Sequence, residues 1–328
     1  DMEYRQLGKT HMKISELSFG TWAIGGAWGK TNDKESLEGL ARAIDAGVNF
    51  FDTADVYGDG HSEELLAKAT KGKEDKIYIA TKFGRADDFR DPANYSYESV
   101  SNYVENSLRR LQRDQLDLIQ IHCPPIEIIR DGSVFEVLDK LQEQGKIRHY
   151  GVSVETVEEG LVSMENPNVA TLQVIFNILR QKPIDELFPV AKEKNVGILA
   201  RVPLASGLLT GKFSKDHQFE EDDHRNFNKD GDAFNVGETF GGLEFIKGVE
   251  LSRQLDWIAE GRGNMTRAAL KWILHHDAVT SVIPGFKTVK QVEDNLKAIE
   301  VPPFTDEELE QLRQFYLKEV HDHIRGPY

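Results

Sequence analysis

A single cysteine, Cys123, among 328 residues leaves no internal disulfide to form and suits a reducing compartment. Long apolar runs are missing as well. None approaches the roughly 20 residues needed to cross a bilayer, so no membrane partner is expected. The first five residues, Asp-Met-Glu-Tyr-Arg, have no apolar leader core, and a cytoplasmic location is the expectation. Basic charge is scarce: 40 Lys and Arg against 55 Asp and Glu give a net charge of −15. Such a field repels phosphate and argues against nucleic acid as the main partner. No low-complexity stretch and no Pro/Gly/Ser-rich linker interrupts the chain. Residues 1–328 therefore read as one globular domain, whose 39% hydrophobic content allows a sizeable core.

What is present is an alternation. Eight short apolar runs read as strands: Leu17–Gly20, Val48–Asp52, Ile77–Thr81, Leu116–Ile121, Ile147–Val152, Thr171–Ile175, Gly197–Val202 and Val279–Ile283. Near-continuous apolar runs are typical of parallel strands covered on both faces. Between them lie apolar residues at helical spacing: Leu37, Leu40, Ala41 and Ile44; Val100, Val104, Leu108 and Leu111; Val134, Val137, Leu138 and Leu141. Eight such units predict an α/β fold, a (β/α)8 TIM barrel. On periodicity alone a doubly wound sheet stays open, although no G-x-G-x-x-G follows any strand.

Three pieces fall outside the repeat. Residues 3–16, with Gly8-Lys9 at their centre, read as an N-terminal β-hairpin plugging one barrel end. Residues 213–240 are polar and acidic, too long for an ordinary connection, and are expected to lie over the active face or to be partly disordered. Thr305-Asp-Glu-Glu308 is a capping box that predicts an extra C-terminal helix to about Lys318.

In such a barrel, function sits where the strands end. Asp52 and Tyr57 follow the second strand, Lys82 ends the third, and His122 ends the fourth. Ser153, Gln173 and Arg201 belong to strands five to seven, and Pro284–Thr288 follow the eighth. Singly, each has an ordinary structural explanation: a strand-end lysine snorkels to solvent, a strand-end histidine holds a hydrogen bond. Together, an acid, a tyrosine, a lysine and a histidine on three consecutive strand ends converge. Lys82 there would lower the Tyr57 pKa from its usual value of about 10. Asp52 would keep the lysine charged, and His122 would orient a carbonyl oxygen. Such a set delivers a proton to oxygen while something else attacks the carbon.

The motifs Gly20-Thr-Trp22, Asp52-Thr-Ala54 with Tyr57-Gly58 and Ser62-Glu-Glu64, Ala80-Thr-Lys82, Ser107–Leu118 with Asp117, Ile121-His122, Gly145-Lys-Ile-Arg148 with Gly151-Val-Ser153, Pro203–Lys212 and Ile283-Pro-Gly285 resemble the aldo-keto reductases. The resemblance runs from about residue 4 to 300. It points to the bacterial branch near the stress-related and inositol-associated reductases and the potassium-channel β subunits. It implies a (β/α)8 barrel binding NADPH across the strand ends, with Asp52, Tyr57, Lys82 and His122 as the catalytic tetrad and Tyr57 as general acid. For the cofactor it implies Gly20, Thr21, Trp22 and Asp52 at the nicotinamide end, with Ser153 and Gln173 on the carboxamide. Arg201 takes a ring-stacking position. Pro203, Leu204, Ser206, Leu208 and Lys212 follow the pyrophosphate, and Gly285, Lys287, Gln291, Asp294 and Asn295 surround the adenosine. Lys287 is the natural partner of a 2′-phosphate, favouring NADPH over NADH. Trp22, Trp28, Tyr57 and His122 would line the substrate pocket.

The chain departs from the family pattern in places. Val154 stands where asparagine is usual, and Cys123-Pro-Pro125 lacks the common Pro-Asp pair. Arg201 replaces an aromatic that stacks on the nicotinamide. A guanidinium plane can lie on a ring, but a cation there would weaken binding of the oxidised, positively charged form. The alternative is that Arg201 folds away to pair with an acid or with the pyrophosphate.

Other signals are weaker. Gly25–Thr31 (GGAWGKT) is one residue too short for a phosphate-binding P-loop. His275-His-Asp277 and His321-Asp-His323 lie away from the strand ends and read as surface, so no metal is expected. The function anticipated is NADPH-dependent reduction of small carbonyl substrates, chiefly aldehydes, in detoxification or stress. A cofactor-binding redox sensor with little turnover is the rival, and a metal-dependent hydrolase lacks enough strand-end ligands.

Overall fold

A computed structural model describes residues 1–25 and 32–328. An antiparallel hairpin comes first, β1 (Tyr4–Gln6) and β2 (Lys13–Ser15), with Arg5 opposite Ile14. Eight parallel strands follow: β3 (Phe19–Gly20), β4 (Phe50–Asp52), β5 (Tyr78–Phe83), β6 (Leu116–His122), β7 (Ile147–Ser153), β8 (Thr171–Ile175), β9 (Gly197–Arg201) and β10 (Val279–Val282). Their order in the sheet is their order in the chain. A parallel bridge between Leu17 and Val282, and a bond from Gly20 N to the Pro284 carbonyl at 2.9 Å, join the first strand to the last. The sheet is a (β/α)8 barrel, and the doubly wound alternative is excluded.

Strand alternation sorts the core. Phe50, Ala80, Leu118 and Leu199 point into the barrel, while their neighbours Phe51, Ile79, Ile119 and Ile198 belong to the cluster under the helices. Leu7, Met12 and Ile14 of the hairpin join the inner cluster. Gly8 has φ +51°, and a Cβ there would stand 2.4 Å from Gly197 N and 2.9 Å from the Ala170 carbonyl. Those atoms mark the N-terminal ends of β9 and β8. The plug therefore closes that end, and the C-terminal end is left for chemistry.

Strand boundaries shift by a residue or two for local reasons. Val48 gives its N–H to the Ala43 carbonyl at 3.0 Å, closing the preceding helix rather than opening β4. β5 and β6 run on to include Lys82 and His122. Val202 leaves β9 at φ +51°, a region that a β-branched residue enters only under constraint. On the first helix, Asp33–Asp45, the buried residues are Ser36, Gly39, Leu40 and Ala43, and Ala41 is exposed. The predicted face is rotated because Gly39 sits beneath the Phe286 ring, where a Cβ would meet Cε2 at 2.5 Å. Thr305 and Glu308 form the predicted capping box, and the helix runs Asp306–Phe315 before a wider turn, Tyr316–Val320.

Within residues 213–240 a short helix, His224–Phe227, and a 3-10 turn, Val236–Glu238, are organised by the buried Asn228. Its amide donates to Thr239 Oγ1 at 3.1 Å, and its carbonyl accepts from Ala233 and Phe234 N–H at 2.9 and 2.8 Å.

Candidate active site

Lys82 Nζ, almost wholly buried, donates to Asp52 Oδ2 at 2.6 Å, to the Thr53 carbonyl at 3.0 Å and to Tyr57 Oη at 3.1 Å. An ammonium has three protons, and all three are placed. Tyr57 therefore accepts from Lys82 and keeps its own proton free to donate. Asp52 Oδ1 accepts from Gln120 at 3.0 Å and Gln173 at 2.9 Å, and Gln173 also donates to Gln120 Oε1 at 2.9 Å. Gln120 is a site residue the sequence reading passed over; its signal was a lone amide inside the apolar β6.

His122 stands across from the phenol, with ring centroids 6.1 Å apart in T-shaped geometry. Burial, then the charges of Lys82, Arg85 and Arg201, hold its pKa well below 6.5. It is a neutral imidazole at physiological pH, and its buried Nδ1 has no partner among the described residues. Tyr57 corrects an expectation. Burial pushes its phenol above 10, and the downward pull of Lys82 does not overcome this because Asp52 pushes back. Lys82 presents a lysine–carboxylate dipole rather than a bare cation. For Lys82 itself, burial favours the neutral form, but Asp52 and Tyr57 outweigh it and raise the pKa.

The rest of the anticipated groove divides into two kinds. Thr21 is buried and bonds the Asp52 carbonyl through both N–H and hydroxyl at 3.0 Å. Trp22 lies 4.8 Å from the His224 ring and 6.4 Å from Phe234, so residues 213–240 reach the first strand end. Trp28 lies among residues 26–31, outside the described residues. Ser153 Oγ is buried, with only the Cys123 thiol near it at 3.5 Å among the described residues. Gly285 and Lys287 are exposed, and a Cβ at Gly285 would meet nothing. Lys212 is exposed, and Pro203 is buried beside the partly exposed Leu204.

Others are already engaged. Ser206, at φ +59°, donates to the Glu238 carbonyl at 3.3 Å and accepts from Phe240 N–H at 3.0 Å. The Leu208 side chain packs on Gly248. Gln291 caps its own helix, accepting from Lys287 and Thr288 N–H at 2.7 and 3.3 Å. Asp294 pairs with Arg267 at 2.7 Å, and Asn295 is buried.

Arg201 has folded onto an acid. It pairs with Glu238 from the 213–240 segment and donates to the Val154 carbonyl at 2.5 Å. Burial alone would favour deprotonation, but Glu238 outweighs it and raises the guanidinium pKa. The expectation of an unpaired cation here is not met. Glu238 lies 37 residues further on in a segment without periodicity, so no sequence signal identified it. Nearby, Glu155 is pushed up to about 7 by burial and by Glu238, against the pull of Arg85 and Arg201.

Comparison with known proteins agrees with this architecture. The chain matches the Aldo/keto reductase family over residues 16–317. Aldo-keto reductase YhdN of Bacillus subtilis is 34% identical over 301 residues, covering 89% of this chain and 87% of that protein. A probable voltage-gated potassium channel subunit beta of Arabidopsis thaliana is 28% identical over 320 residues, 92% of each. Among solved structures, the glycerol dehydrogenase AKR11B4 of Gluconobacter oxydans has a TM-score of 0.78 at 31% identity, covering 99% of this chain and 98% of that one. The chain belongs to the aldo/keto reductase family.

Proposed function

We propose that the protein is an oxidoreductase that uses NADPH to reduce small aldehydes and ketones, with Tyr57 as the general acid. One observation carries the reading: Lys82 spends all three protons on Asp52, Thr53 and Tyr57, leaving the phenolic proton to be given to substrate. The raised Tyr57 pKa keeps that proton in place at neutral pH.

The residues present suit the cofactor. A carboxamide needs one donor and one acceptor. The Gln173 amide nitrogen is occupied by Asp52 and Gln120, so its Oε1 is left to accept, and the Ser153 hydroxyl is left to donate. Lys287, exposed and making no side-chain bond among the described residues, suits a 2′-phosphate. When bound, NADPH supplies the hydride for the carbonyl carbon. Tyr57 then donates its proton to the carbonyl oxygen, and the tyrosinate left behind faces the Lys82 ammonium. Asp52, held by Gln120 and Gln173, keeps that ammonium charged and aimed. The neutral His122 orients the same oxygen. Residues 213–240, tied at Glu238 to Arg201 and through His224 to Trp22, would cover the site.

Detoxification or stress is the setting we favour. No helix among the described residues is long and apolar enough to cross a membrane, and we place the protein in the cytoplasm. The likeness to a potassium channel β subunit keeps a second reading, a cofactor-bound redox sensor with little turnover. Steady-state oxidation of NADPH over a series of short aldehydes separates the two. Sustained turnover supports the reductase, and binding without turnover supports the sensor.

A further inference from the structure

Arg85 leaves the end of β5 three residues after Lys82 and crosses to the neighbouring strand end. Its Nε donates to the His122 carbonyl at 3.0 Å, and one Nη donates to the Cys123 carbonyl at 2.5 Å. The same guanidinium lies 3.5 Å from Glu155 and 3.8 Å from the centre of the Phe89 ring. The backbone it grips is constrained. Cys123 has φ +48°, a region that non-glycine residues occupy at a cost and only where the surroundings hold them. Cys123 N–H is held by the Ser153 carbonyl at 3.0 Å, and Arg85 holds the two successive carbonyls. A planar fork of fixed donors suits that task, and a single ammonium does not. Arg85 thus ties the strand end bearing Lys82 to the strand end bearing His122.

We propose that Arg85 is a positioning residue for carbonyl reduction, fixing the His122 imidazole against Tyr57 and Lys82 and setting the charge around it. The inference rests on the reductase reading above, in which His122 orients the substrate oxygen. The groups around His122 are Lys82 from β5, Arg85 just beyond it, Arg201 from β9 and the Tyr57 phenol, with Ser153 opposite it in the register of β7. After burial, Lys82 and Arg85 are the largest influences holding the imidazole neutral, with Arg201 next. Arg85 lies 3.5 Å from Glu155, and Arg201 pairs with Glu238.

Two variants separate position from charge. Arg85→Met removes both the fork and the charge, and Arg85→Lys keeps the charge alone. Both are expected to lower kcat by roughly tenfold to a hundredfold while cofactor Kd stays within about threefold. In Arg85→Met the acid limb of the kcat–pH profile should also move up by about one unit, whereas in Arg85→Lys it should stay in place. A titration of the His122 ring followed by NMR in the cofactor-free protein reads the same shift without needing turnover. A wild type that binds NADPH but does not turn over would sink the reductase reading, and the NMR titration would still decide on Arg85. If Arg85→Met does not fold, kcat of Arg85→Lys decides. Wild-type kcat in Arg85→Lys, or a His122 titration unmoved in Arg85→Met, overturns the proposal.

Discussion

Lys82 Nζ lies 2.6 Å from Asp52 Oδ2, with both side chains almost fully buried. Breaking such a pair from one side leaves an uncompensated charge, at a cost of about 3–5 kcal/mol. Two glutamine amides still bond Asp52, so Lys82→Met should fall at the lower end, losing about 3 kcal/mol of stability. Asp52→Asn added to it should restore at least about 1 kcal/mol. Urea unfolding measures both. A single variant as stable as the wild type would mean that the pair is not held in this geometry.

Asp55, on the loop after β4, is buried, and its Oδ1 has no partner among the described residues. Burial first, then Glu63, raise its pKa from 3.8 to about 7, against Arg110, the Val56 N–H and Lys82. A raised folded-state pKa means that the folded protein holds the extra proton. The contribution to stability is complete below the unfolded pKa and is lost as pH rises through about 7. Asp55→Asn removes this dependence. Its stability relative to wild type should improve by about 2–4 kcal/mol between pH 4 and 8. Urea midpoints at the two pH values check it, and a constant difference contradicts it.

Arg201 now carries a different prediction from the one its sequence position suggests. With Glu238 against it, the pair presents little net charge to a nicotinamide ring. Replacing the pair together, Arg201→Tyr with Glu238→Gln, should change the Kd of NADP+ and NADPH by the same factor. Glu238→Gln, which bares the cation, should weaken NADP+ more than NADPH, by on the order of 1–3 kcal/mol. Fluorescence titration of both cofactor forms distinguishes these results. A selective gain for NADP+ in the double variant would show that the Arg201 charge is felt despite its partner.

Lys287 is exposed on the turn after β10, with no side-chain bond among the described residues. Lys287→Ala should raise KM for NADPH by roughly tenfold to a hundredfold, the worth of a charge-assisted contact, and leave that for NADH nearly unchanged. Equal losses for both cofactors would assign Lys287 a structural role.

The barrel was legible because its signal is local. Apolar runs such as Leu116–Ile121 and Thr171–Ile175 mark buried parallel strands, and the residues ending them face one rim. Asp52, Lys82 and His122 could therefore be grouped before any coordinates. Pairings distant in sequence could not. Glu238 meets Arg201, and Arg85 grips the turn after His122, only once the chain is folded. Gln120 was passed over inside an apolar strand, and its role shows only in the 3.0 Å bond to Asp52 Oδ1. The direction of the Tyr57 pKa failed for a related reason. Proximity to a lysine is readable from sequence, but the burial that outweighs it is a property of the whole barrel. Gln291 and Asp294 are a further case. A family position marks them for the cofactor, and the fold adds a helix cap and a pair with Arg267 that the sequence did not announce.

The central claim is that the proton reaching the carbonyl oxygen is the one Tyr57 keeps free. Tyr57→Phe removes that hydroxyl while leaving the Lys82–Asp52 pair in place, so NADPH should bind as before. Single-turnover reduction of a short aldehyde by the NADPH-loaded variant tests it directly. The account predicts a rate lower by roughly 10²–10⁴-fold, the worth of a general acid, with NADPH Kd near that of wild type. A variant that keeps more than about a tenth of the wild-type rate would contradict it and pass the role of acid to another group.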